Sequence, residues 1–119
     1  MRVLLILLAS ILGVSFAVSA AARGFTISDF GAVQSENLCV QKGRLMFSRF
    51  GAGGIAATRW TVNAYDLAGK TNLDAALICS HGEHGMTRVS LVVHSAGGRA
   101  MDDTRRSIPR KLRLIWDGL

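Results

Sequence analysis

The chain begins with a hydrophobic run that differs from everything after it. Residues 3–18 are apolar apart from two serines and one glycine, and Arg2 gives the start of the run a positive charge. The tripeptide Val18-Ser19-Ala20 has the small residues that signal peptidases require. The sequence therefore predicts a signal peptide over residues 1–20. The run falls just short of the roughly 17 to 25 residues that cross a bilayer, and a retained anchor is the alternative.

Beyond the run, short segments alternate between apolar and polar residues and are separated by glycines. This pattern is typical of strands that have one buried face. The alternation is clearest at Val89, Leu91 and Val93 and again at Leu112, Leu114 and Trp116. The predicted strands are 25–33, 38–50, 58–67, 88–94 and 111–116.

One segment has the signals of a helix. Thr71 and Asp74 have the spacing of a capping box, and Ala75 to Leu77 are good helix formers. Gly82 can adopt the left-handed conformation that ends a helix. These residues predict a short helix over residues 72–81. A strand over the same residues is the alternative.

The resulting order is strand, strand, strand, helix, strand, strand. We expect residues 21–119 to form a single β-rich α+β domain, specifically a small five-stranded OB-like barrel, a fold that often binds oligonucleotides or oligosaccharides. Other small β-rich folds share much of this pattern. Trp60 and Trp116 lie on apolar strand faces and are expected in the core. Tyr65 is the aromatic residue free to contact a ligand.

Charge adds a second candidate surface. The chain has 14 Lys and Arg residues against 8 Asp and Glu residues, a net charge of +6. Many of the basic residues crowd near the C-terminus, and Arg105, Arg106 and Arg110 are the candidates for binding an anionic ligand. The alternative is a solvated charged surface that serves solubility.

Export changes the interpretation of the cysteines. Outside the cytoplasm two cysteines form a disulfide more often than a metal site, so Cys39 and Cys79 are expected to be bonded. His81 and His84 are candidate metal ligands, together with the cysteines and His94. Because exported thiols oxidise, the sequence favours the disulfide, and no metal or cofactor is expected.

Catalytic motifs are missing from the sequence. It contains no Gly-x-Ser-x-Gly, His-Glu-x-x-His or Cys-x-x-Cys motif and no phosphate-binding loop. His94 and Ser95 are adjacent, and on a strand they point to opposite faces. The sequence favours a non-catalytic protein over an enzyme whose site no motif reveals.

The layout resembles the B subunits of bacterial secreted toxins of the Shiga and pertussis type. The shared features are a signal peptide, about one hundred mature residues, a single disulfide and a helix that leads through Gly85-Met86-Thr87 into the strand Val89–Val93. The resemblance is greatest over residues 71–95. It implies an OB-fold, a pentameric ring and binding of cell-surface glycans. The chain departs from the family because Cys79 lies inside the predicted helix, and no binding residue of the family can be transferred to it.

These observations predict a secreted or periplasmic binding domain whose partner is a glycan or protein of the cell envelope or cell surface. The basic C-terminal region would attract anionic ligands. A homo-oligomer is compatible with this prediction, and no membrane-spanning segment is expected after signal cleavage. The alternatives are an enzyme without a visible motif and a periplasmic metal-binding protein that uses His81 and His84.

Overall fold

A computed structural model of the protein describes residues 23–119. The predicted signal peptide, residues 1–20, lies outside the described residues. The β-rich α+β class with five strands is confirmed. In chain order the elements are β1 (Arg23–Val33), α1 (Glu36–Phe50), β2 (Ala52–Ala57), β3 (Thr61–Leu67), β4 (Leu73–His81), a 3-10 turn (Glu83–Gly85), β5 (Thr87–Ala96) and α2 (Arg99–Asp117).

The strands form one antiparallel sheet in the order β1-β5-β4-β3-β2. Strands β1 and β2 are joined by α1 yet lie at opposite edges, so α1 must cross the sheet. Its 15 residues span about 22 Å, close to the roughly 19 Å of four strand spacings. The sheet is open and not a closed barrel, and its first helix follows β1. The OB-like prediction had a closed barrel and three strands before the first helix, so both features differ from it.

Residues 38–50, which were predicted to be a strand, belong to α1. The hydroxyl of Ser35 caps the helix by accepting a hydrogen bond from the Leu38 amide at 3.1 Å. Gly51 ends the helix in the left-handed conformation, with a φ of 96°. Between these ends, the buried residues recur at helical spacing: Cys39, Gly43, Met46 and Phe47.

The predicted helix over residues 72–81 is wrong, because these residues form β4. Asn72 adopts a left-handed conformation with a φ of 68°, which does not continue into a helix. The Asp74 carboxylate accepts a hydrogen bond from the Asp66 amide at 3.0 Å and so holds the connection from β3. The buried residues of β4 recur at every second position, at Leu73, Ala75, Leu77 and Cys79.

The predicted strand over residues 111–116 is also wrong, because these residues lie in α2. Ile108, Leu112 and Trp116 recur every four residues and are buried, whereas Leu114 is 71% exposed. A strand with alternating burial would have placed Leu112 and Leu114 on the same side. No helix within residues 23–119 is long and apolar enough to cross a bilayer.

Both helices cover the same face of the sheet and enclose the core. Helix α1 packs mainly against β2, β3 and β4, whereas α2 packs against β5 and β1. Trp116 is buried between them, as predicted, and its ring meets Phe30 edge to face. Trp60 was also expected in the core, and this prediction is wrong: it lies in the turn between β2 and β3, where its ring packs edge-on against His81.

The predicted Cys39–Cys79 disulfide is confirmed. It links α1 to β4, and both cysteines are buried in the core. The bond joins residues 40 positions apart, so it removes a large number of conformations from the unfolded chain.

We expect the double variant Cys39→Ala, Cys79→Ala to lower the free energy of unfolding by about 3 to 4 kcal/mol, because the unfolded chain regains the freedom of the closed loop. Urea unfolding followed by circular dichroism measures the difference. The reduced wild-type protein is the matched control and should lose a similar amount. A double variant as stable as the oxidised protein would show that the bond contributes nothing.

Candidate functional site

The face of the sheet opposite the helices is uncovered and is the candidate binding surface. Side chains of directly paired residues on antiparallel strands lie on the same face. Burial alternates along β4 and β5, with the buried residues under the helices. The remaining residues of these strands form what we call the open face.

One row of the open face crosses all five strands. Phe25 of β1 is paired with His94 of β5, which in turn is paired with Asp74 of β4. Tyr65 of β3 is next in the row, because the pairing of Ala64 with Ala75 places the following residue of β3 opposite the preceding residue of β4. Gly54 of β2 is paired with Tyr65 and completes the row. Two aromatic side chains therefore flank an imidazole and a carboxylate.

The row borders a shallow depression of about 190 Å³. Ala76 also lines the depression, and its side chain is only a methyl group that does not fill it. The side chains of Asn63, Tyr65, Asp74 and His94 line it, and they offer an amide, a phenol, a carboxylate and an imidazole. Tyr65 is 47% exposed, so its ring is accessible from solvent. These groups can donate and accept hydrogen bonds to a polyhydroxylated ligand that lies against an aromatic ring.

The β1 side of the open face is apolar. Phe25 and Ile27 are 65% and 66% exposed, and Ile27 is paired with the half-buried Val92. Large apolar side chains grouped on a surface indicate a contact site more often than single exposed ones do. The open face therefore combines an apolar edge with a polar and aromatic centre.

His94 and Ser95 lie on opposite faces of β5, as the sequence predicted. His94 is exposed on the open face, whereas Ser95 is buried and accepts a hydrogen bond from Arg105 at 3.0 Å. This separation prevents a direct hydroxyl–imidazole pair between the two residues.

His81 and His84, the candidate metal ligands, line an open cleft beside the turn between β4 and β5. The His84 side chain is 91% exposed, with its Nε2 4.0 Å from the Glu83 carboxylate. Asp29 also lines the cleft, and its carboxylate lies 3.6 Å from the Arg88 guanidinium. The Gly31 amide donates a hydrogen bond to this carboxylate and lowers the pKa of Asp29. Among the described side chains, no group of three or more His, Cys, Asp or Glu residues could hold a metal ion.

Arg105, a candidate for binding an anionic ligand, has a structural role instead. The residue is only 7% exposed. Its guanidinium donates to the Asp102 carboxylate at 2.6 Å and to the hydroxyls of Ser95 and Thr26 at 3.0 and 3.2 Å. A side chain on Gly24 would occupy the position of this guanidinium. Arg105 therefore joins α2 to β1 and β5 and is not part of the exposed basic surface.

Arg106 and Arg110, the other two candidates, lie on the exposed side of α2. Together with Ser107, Lys111 and Asp103, they line a shallow groove of about 370 Å³. Three positive charges thus surround the groove, with one carboxylate at its border. The structure separates this groove from Tyr65, because α2 lies on one face of the sheet and the open face is on the other.

The sequence predicts Tyr65 as a ligand contact and does not predict the other residues of the depression. The sequence pattern predicts Asp74 to cap a helix and gives no signal at Asn63. It suggests His94 only as a metal ligand or a catalytic residue. The strand alternation of residues 73–81 was the signal that could have placed Asp74 on an exposed face. Strand register is needed as well, and the local pattern of one strand does not show which residues of another strand it pairs with.

Comparison of the chain with protein-family models, with curated proteins and with solved structures gave no match.

We expect Arg105→Gln to lower the free energy of unfolding by about 2 kcal/mol, because it leaves a part-buried carboxylate and two hydroxyls without their charged donor. Arg106→Gln, one residue along on the exposed side, is the matched control and should change stability by less than about 0.5 kcal/mol. Urea unfolding of both variants tests the assignment, and equal effects would contradict it.

Proposed function

We propose that this protein is an exported, non-catalytic domain that binds a saccharide of the cell envelope or cell surface through the row Phe25, His94, Asp74 and Tyr65. The observation that carries the proposal is the row itself: an imidazole and a carboxylate lie between two aromatic side chains on an uncovered sheet face.

The chemistry of the row suits a sugar. Sugar rings have apolar C–H faces that stack on aromatic side chains, and their hydroxyls both donate and accept hydrogen bonds. The Asp74 carboxylate accepts a hydrogen bond from the Asp66 amide at its Oδ1 atom, and its other oxygen is an acceptor that can face a ligand. Asn63 and His94 border the same depression. Phe25 and Tyr65 are three strand spacings apart, about 14 Å, which leaves room for more than one sugar ring.

Two features of the chain support an exported location. The hydrophobic run at residues 3–18 and the small residues before Ala21 indicate export. The Cys39–Cys79 disulfide supports an oxidising compartment, because such bonds persist in the periplasm or outside the cell. A saccharide of the envelope or the cell surface is accessible from either place.

The saccharide proposal is tested with an array of bacterial and host-surface glycans, followed by isothermal titration with the best ligand. We expect Tyr65→Ala to weaken binding about tenfold, since truncating a central aromatic anchor typically removes more than about 1 kcal/mol. Asp74→Asn keeps the Oδ1 acceptor for the Asp66 amide but loses the charge, and it should weaken binding by a similar factor.

Trp60→Ala is the matched control, because it removes an aromatic side chain from the turn between β2 and β3, away from the row. It should leave affinity unchanged. The proposal fails if no saccharide binds at micromolar concentrations, or if Tyr65→Ala and Trp60→Ala have equal effects.

A protein partner is the second candidate, and the exposure of Phe25 and Ile27 favours it. A saccharide and a protein partner would depend on different residues of the open face. Ile27 lies in the next row, beside Val92, and presents no hydrogen-bonding group. Ile27→Thr should leave saccharide binding intact, whereas it would weaken an apolar protein interface at this edge.

Export predicts a specific product. When the full chain is expressed in a bacterial host, we expect the protein to be recovered from the periplasm without residues 1–20 and with Cys39 bonded to Cys79. Intact-mass measurement before and after reduction tests both statements. A full-length mass in the membrane fraction would instead indicate a retained anchor, and free thiols would contradict passage through an oxidising compartment.

A further inference from the structure

Net charge is distributed unevenly between the two sides of the domain. The segments that form α1 and α2 contain nine Lys and Arg residues against four Asp and Glu residues, whereas the rest of residues 23–119 contains four of each. The whole positive surplus of the described chain therefore belongs to the helical layer. The sheet and its connections are neutral.

Several acidic residues of this layer are paired with cations. Asp102 pairs with the buried Arg105, and Asp117 pairs with Arg113 at 3.1 Å. Glu36 lies 3.8 Å from Arg59. These pairs neutralise local charge of both signs. The positive potential of the outer surface comes from the exposed basic residues Arg44, Arg49, Arg106, Arg110 and Lys111.

The outer side of α2 combines these cations with an exposed leucine. Arg106, Arg110 and Leu114 recur every four residues and so follow one line along the helix. Leu114 is the most exposed large hydrophobic residue of the described chain, at 71%. On α1, Leu45 is 52% exposed and is flanked in sequence by Arg44. Both helices thus present an apolar side chain among cations.

We propose that the outer surface of α1 and α2 binds the anionic phospholipid surface of a membrane. The groove between Arg106, Arg110 and Lys111 receives lipid phosphates, and Leu114 inserts among the acyl chains next to them. This inference concerns the side of the molecule opposite the saccharide row and does not depend on it.

A bilayer is the occupant that fits both properties of this surface. A soluble polyanion would use the cations but would leave Leu45 and Leu114 in water. An anionic bilayer neutralises the cations and also buries the leucines, which is the combination that interfacial helices use. Charge complementarity therefore requires an anionic partner, and the exposed leucines select a lipid one.

This arrangement has a consequence for the open face. Because the helical layer and the open face are on opposite sides of one sheet, a domain that lies with its helices on a membrane turns Tyr65 and Asp74 away from the lipid. Membrane binding through α2 and ligand binding through the sheet can then occur together.

The test uses the exported protein and co-sedimentation with vesicles of phosphatidylglycerol and phosphatidylcholine in equal parts, compared with phosphatidylcholine alone. We expect binding to the anionic vesicles only, with a marked loss when salt rises from about 0.05 M to about 0.5 M. The double variant Arg106→Gln, Arg110→Gln should bind about 25-fold more weakly, at about fivefold per removed charge.

The double variant Lys70→Gln, Arg88→Gln is the matched control. It removes the same net charge from the sheet and its connections, outside the helical layer, and should reduce vesicle binding far less than the α2 variant. Leu114→Gln changes no charge and should weaken binding about tenfold through the lost insertion. Thermal unfolding of each variant confirms that its fold is intact.

Three results would overturn the proposal. The first is equal binding to neutral vesicles. The second is an equal loss in the two charge-removing double variants, which would mean that only net charge matters. The third is a pair of findings: Leu114→Gln binds anionic vesicles as tightly as the wild-type protein, and inorganic polyphosphate displaces the protein completely from these vesicles. Together they would assign the surface to a soluble polyanion.

Discussion

The close contact between α1 and the centre of the sheet determines the rest of the structure. A Cβ atom on Gly43 would lie 2.6 Å from a methyl carbon of Leu77 and 3.0 Å from one of Val62, so the helix backbone approaches β4 and β3 as closely as it can. One turn earlier, Cys39 is bonded to Cys79 of β4. Because α1 also joins the two edge strands, fixing it at this point determines which face of the sheet is covered.

The second helix completes the covered face in a different way. Helix α2 packs through Ile108, Leu112 and Trp116, and its first half is held to β1 and β5 by the buried Arg105. Pro109 lies inside the helix and cannot donate to the Arg105 carbonyl one turn earlier. With both helices on one side, the polar and aromatic residues of the alternating strands are left uncovered on the other.

Sequence reasoning predicted the β-rich class and the strands near residues 25–33 and 88–94, because these depend on local alternation of apolar and polar residues. It predicted the disulfide because the signal peptide indicates export to an oxidising compartment. It failed where one local pattern fits two structures. Leu112, Leu114 and Trp116 alternate over six residues as a strand would, and only the exposure of Leu114 distinguishes the helix. The Asp74 carboxylate has capping-box spacing but binds the amide of a residue eight positions earlier. Such contacts depend on tertiary structure.

The candidate site shows the same limit more sharply. Phe25, Asp74 and His94 are far apart in sequence, and they become neighbours only because β1 pairs with the last strand and not with the next one. A shift of one residue in either pairing would turn a member of the row toward the helices. The site is thus a property of register, and register depends on the buried side of the same strands. The residues under α1 and α2 therefore determine which side chains meet on the open face, although none of them contacts a ligand there.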